Sequence, residues 1–125
     1  MTGDGFPGGE GEQVACGLER AIEGNDRVSK RRLLSRLPAF LSSTDNAAPA
    51  FISAGGIPLL LSACRDADDA TRIAALRSLA WLTGAGYARE VREAGAGSVL
   101  PPLLSDPSPA VRRLAGLLAG LLAGK

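Results

Sequence analysis

The sequence predicts an all-α, right-handed α-solenoid, and three observations carry that prediction. The C-terminal stretch nearly repeats the stretch about forty residues before it: Ile57-Pro58-Leu59-Leu60-Leu61-Ser62 returns as Leu100-Pro101-Pro102-Leu103-Leu104-Ser105. Each copy is written in helical spacing, with Ala70-Thr71-Arg72 and Ala75 returning as Ala110-Val111-Arg112 and Ala115. The copies are also punctuated alike, since Phe51-Ile52-Ser53-Ala54-Gly55 returns as Val91-Arg92-Glu93-Ala94-Gly95. A period near 40 built from helices means units that bury their apolar faces only against neighbours. Such a scaffold does no chemistry of its own and offers a long curved surface to another molecule.

Residues 1–11 are Gly-rich and acidic, too polar to bury, and read as a disordered tail. Gly3-Asp4-Gly5-Phe6-Pro7-Gly8 matches a dinucleotide-binding fingerprint by chance, because no strand precedes it and Pro7 opens no helix. Residues 12–45 form an N-terminal partial, capping unit. Val14, Leu18, Ala21 and Ile22 mark one face of a short helix, stopped at Gly24-Asn25-Asp26. Val28, Leu33, Leu34, Leu37 and Leu41 mark the next, and Pro38 within it predicts a kink or restart near Leu37.

Residues 46–85 form a fuller unit of three helices. Asn46 to Ser53 is closed by Ala54-Gly55-Gly56, where glycine takes a left-handed cap. The second helix opens at Ile57-Pro58, with proline in the first turn, and ends near Arg65. The acidic residues of Asp66-Ala67-Asp68-Asp69 favour the N-terminus of a third helix, Ala70 to Thr83, which Gly84-Ala85-Gly86 breaks. Residues 86–125 repeat the triplet as Tyr87 to Ala94, Val99 to Leu104 and Ala110 to Ala123. Asp26, Asp66 and Asp106 share one spacing, each in the turn before a long helix.

Composition narrows the function. The chain is 46% hydrophobic but 4% aromatic, so Leu and Ala must supply the packing. A net charge of +1 gives no strong field for nucleic acid or an anionic membrane, and no segment has the ~20 apolar residues of a bilayer span. The absence of histidine removes Ser-His and Cys-His nucleophile pairs and imidazole metal ligands. Cys16 and Cys64 lie too far apart for a metal or redox motif and read as small buried hydrophobes in a reducing compartment. Asp66, Asp68 and Asp69 lack the glycine and terminal glutamate of a calcium loop, and helix capping explains them. No cofactor is expected. The N-terminus has neither the basic start nor the apolar run of a Sec signal, so cytoplasm, or else nucleus, is the expected compartment.

A short helix, a Gly-Gly-Ile-Pro corner, a second helix, an acidic turn and a longer third helix together resemble the armadillo repeat. The carrying residues are Ala54-Gly55-Gly56-Ile57-Pro58 with Leu60-Leu61, then Thr71, Ala75, Ser78, Leu79 and Leu82. Leu104 through Arg112 in the next copy is as similar to a HEAT repeat. The resemblance covers about residues 12–124 and implies that the third helices line a concave groove for a partner protein or extended peptide. The asparagine-ladder position of that family falls on Trp81 and Leu121, and the position one turn earlier on Arg77 and Leu117. This departs from importin-like capture of basic peptides. Asp45-Asn46-Ala47-Ala48, then Phe51 and Gly55-Gly56, resembles the armadillo-type nucleotide-exchange factors of heat-shock chaperones, a second expectation. A third is an accessory helical-repeat protein of an enzyme complex.

Arg77 and Trp81, one helical turn apart, are the expected partner-binding pair, with Trp81 packing between repeats as the competing reading. Arg36 and Phe40 are their expected echo in the first unit, and Leu117 and Leu121 in the last. Lys30-Arg31-Arg32 reads as a solvated helix face, making nucleic acid an unlikely partner. The last helix carries Leu114, Leu117, Leu118, Leu121 and Leu122 on nearly all sides, so something is expected to cover it: a second copy, a partner, or further repeats.

Overall fold

The computed structural model describes residues 17–24, 26–42 and 47–123, and among them there is no strand. The Gly-rich tail, the fingerprint match and Cys16 lie outside the described residues. Helix α1 is described over 17–23. It is followed by α2 (Arg27–Leu41), α3 (Ala47–Ser53), α4 (Gly56–Ala63) and α5 (Asp69–Leu82). A π-type turn, Thr83–Tyr87, leads to α6 (Ala88–Glu93), α7 (Ala96–Leu103) and α8 (Pro109–Ala123).

The short helices end where backbone, not side chain, decides. Gly55 and Gly95 precede α4 and α7 with φ of 88° and 105°, a left-handed conformation that a side chain would strain. That corner lets α3 fold back on α4 and α6 on α7. Helix α7 begins at Ala96, three residues before the expected start, so Pro101 and Pro102 fall inside it. Helix α2 likewise runs through Pro38 as one helix, where a kink or restart was expected. Leu34, Leu37 and Leu41 on both sides of the proline are buried, and their burial offsets the roughly 3 kcal/mol a mid-helix proline costs.

The long helices form the spine. Helix α5 packs on α2 along one flank and on α8 along the other, whereas α2 and α8 have no substantial contact. One apolar cluster runs from Leu18 through Phe51, Leu60, Leu76 and Leu79 to Val111, Leu118 and Leu122. Cys64 belongs to it, and burial pushes its thiol up to about 12. A Cys16→Ser chain is therefore expected to react with a disulfide reagent at pH 8 roughly a thousandfold more slowly than a free cysteine, until denaturant is added. Native labelling at the free-thiol rate would show that Cys64 is accessible.

Charge sets the layers against each other. The Lys30 ammonium on α2 donates to both carboxylate oxygens of Asp66, in the turn before α5, at 2.7 and 2.8 Å. Arg72 on α5 repeats this with Asp106, in the turn before α8. Its Nη2 donates at 3.1 Å, and Nε lies 3.1 Å from the other oxygen without hydrogen-bond alignment. Arg31 adds a bidentate pair to Asp68 at 2.6 and 2.8 Å. Asp68 also caps α5 by accepting from the Thr71 amide and hydroxyl, and Arg31 with these donors holds its carboxyl well below the usual range. Lys30 is thus a buried clamp between layers where a solvated face was expected, whereas Arg31, though paired to Asp68, and Arg32 are exposed.

These contacts also fix the register of the first unit. Lys30, Arg72 and Arg112 donate their backbone amides to the carbonyls of Asp26, Asp68 and Ser108 respectively. Asp26 caps α2 through Ser29, as Asp68 caps α5 through Thr71. Asp26 therefore corresponds to Asp68, and Gly24 stands where Asp66 and Asp106 stand in the later layers. The equal spacing of the three aspartates does not reflect equal roles.

Candidate functional site

Between α2 and α5 lies a cavity of about 340 Å³. Its floor is Leu34, Pro38, Ile73 and Ala74, with Ser35 on one wall and Arg31 and Arg77 at its polar edge. The floor is apolar because α2 and α5 meet through buried leucines, and the side chains just outside that seam are left half covered. Arg31 is held by Asp68. Arg77 is exposed and has no ion-pair or hydrogen-bond partner among the described residues. Trp81 follows one turn along α5, half-buried and packed on the core. Part of its ring is thus buried against the core and the rest is exposed, outside the lining of the cavity.

The same face continues on α8. Leu117 and Leu121 occupy the positions of Arg77 and Trp81 and are 53% and 39% exposed. Large aliphatic side chains so exposed are candidates for a contact. In the first layer the cap register places Ser35 and Ala39, not Arg36 and Phe40, at the positions of Arg77 and Trp81. Arg36 is exposed on a neighbouring stripe of α2, and Phe40 is half-buried against the core. Of the expected residues the cavity takes in Arg77 alone, while Trp81, Leu117 and Leu121 share its register on α5 and α8, and the cavity adds Ser35 and Pro38, which the forty-residue spacing had passed over.

Of the residues that resemble the exchange factors, Asp45 and Asn46 lie outside the described residues. Ala47, Ala48 and Phe51 are buried in α3 and are packing residues. Among the described residues no group of three or more acidic or cysteine side chains is placed to hold a metal ion. Nor is any described helix long and apolar enough to cross a membrane. Fold and site together define an all-helical protein with an apolar, arginine-edged cavity between two of its long helices. In comparisons with known proteins, no family model, curated sequence or solved structure matches the chain.

Proposed function

We propose that the chain is a non-catalytic interaction scaffold, an armadillo/HEAT-type right-handed solenoid that binds an extended segment of another protein across α2, α5 and α8. The observation that carries this reading is the cavity between α2 and α5, lined by Arg77, which has no partner among the described residues, with Trp81 one turn further along α5. An extended segment would seat an apolar side chain over Ile73 and Pro38, a carboxylate at Arg77, and further apolar residues along Leu117 and Leu121. Aromatic and arginine side chains at a groove are the types that concentrate binding energy.

The test is selection of extended peptides on the immobilised full chain, followed by titration of one selected peptide against variants. Trp81→Ala is expected to weaken it roughly 30-fold, the equivalent of about 2 kcal/mol. Because Trp81 is partly core, Arg77→Glu serves as the fold-neutral companion, and it should weaken a carboxylate-bearing peptide at an unchanged melting temperature. Unchanged affinity in both variants would place the contact elsewhere.

A further inference from the structure

The layer-to-layer ion pair occurs twice, and its cation occurs three times. Arg72 Nη1 donates to the carbonyls of Asp66 and Ala67 at 2.7 and 3.0 Å, which holds the guanidinium over the turn while its other edge meets Asp106. Arg112 Nη1 donates in the same way to the carbonyls of Asp106 and Pro107, at 2.6 and 3.2 Å. Its other edge has no carboxylate among the described residues. The flank of α8 beside it is exposed and carries small residues. Where α2 and α5 carry the buried pairs Leu34 and Leu37, and Leu76 and Leu79, α8 carries Gly116 and Ala119. A Cβ on Gly116 or Gly120 would meet nothing within 4 Å, and Leu117 and Leu121 stand exposed beside them.

We propose that this flank of α8 docks a helix from a partner protein. The partner's preceding turn supplies an aspartate to Arg112, and bulky aliphatic residues of its helix pack over the bare backbone at Gly116 and Gly120. The charge pattern argues against a second copy of this chain as the occupant. Helix α8 carries Arg112 and Arg113 and no acidic residue, so two copies meeting by this flank would set arginine against arginine. Stacked head to tail, the first layer would offer Gly24 where an aspartate is required. The surface borders the groove at Leu117 and Leu121 and is told apart from it by its residues: it needs Arg112 and does not need Arg77 or Trp81.

The experiment appends a second copy of residues 84–123 directly after Ala123, which keeps the forty-residue spacing and sets a duplicate of Asp106 opposite Arg112. One cooperative urea transition is expected. Asparagine in place of the duplicated aspartate should lower the folding constant about tenfold, and that loss should vanish when Arg112→Gln is also present. An equal loss in both backgrounds, or a separate transition for the added layer, overturns the proposal. Should the extended chain not fold, a labelled peptide of residues 104–123 titrated against the full chain decides. Binding about tenfold tighter than its Asp106→Asn form supports the proposal, and equal binding or none overturns it. A dimer of the full chain that persists with Arg112→Gln also overturns it, in favour of a second copy.

Discussion

Asp66→Ala is expected to cost about 3–5 kcal/mol of folding stability, the largest effect of any single charged residue outside the core. The Lys30 side chain is 4% exposed and that of Asp66 is 10%, so both charges have left water almost completely. Removing the carboxylate takes from the ammonium in the seam between α2 and α5 the ion pair that offsets most of its desolvation. Removing both is a different matter. A Lys30→Met/Asp66→Leu chain should lie close to the wild type, because an apolar pair of similar volume needs no solvation to replace. The Arg31–Asp68 pair provides the contrast: Arg31 is 49% exposed, and Arg31→Ala should move the midpoint far less than Asp66→Ala. Urea midpoints at constant slope measure all three. For a chain of this size the Asp66→Ala loss corresponds to a drop in melting temperature of roughly 10–20 °C. A loss below about 1 kcal/mol would mean that water reaches the pair.

The clamp also shows what could be read from the chain before folding and what could not. Helix type and order follow from local chemistry, since apolar spacing, the Gly55 and Gly95 corners and the capping Asp68 each act within a few residues. The partners of Lys30 and Arg31 lie 36 and 37 residues away, and a local reading assigns such a run to solvent. The missed signal was periodic: a basic residue near the start of each long helix, Lys30, Arg72 and Arg112, with an aspartate in the turn before the next. The first layer hid it because Asp26 to Asp68 is 42 residues while Asp68 to Ser108 is 40. Arg36 and Phe40 lie 41 residues before Arg77 and Trp81, one short of the 42 that the caps set, so that echo falls one position past Ser35 and Ala39. Pro38 misled for a related reason. Its penalty is local and visible in sequence, whereas the burial of Leu34, Leu37 and Leu41 that outweighs it is tertiary.

Gly56→Ala is expected to destabilise the chain by about 3 kcal/mol even though alanine is the better helix former. The reason is Phe51. Its ring is fully buried and lies so close to the Gly56 Cα that an added Cβ would overlap Cε2, Cδ2 and Cζ. Neither partner has an easy escape, because the ring is enclosed by the core and Gly56 is held by the corner at Gly55. The next layer solves the same packing problem with the sizes exchanged: Val91 and Ala96, both buried, stand where Phe51 and Gly56 stand. Large plus absent side chain in one layer equals medium plus methyl in the other. Phe51→Val alone should cost about 2–4 kcal/mol by leaving a void. Combined with Gly56→Ala, it reproduces the Val91–Ala96 pair, so the double variant should be more stable than the sum of the two losses by at least about 1.5 kcal/mol. Strict additivity in denaturant melts would show that ring and glycine do not share one space. It would then be the left-handed corner alone that makes the Gly-Gly pair necessary.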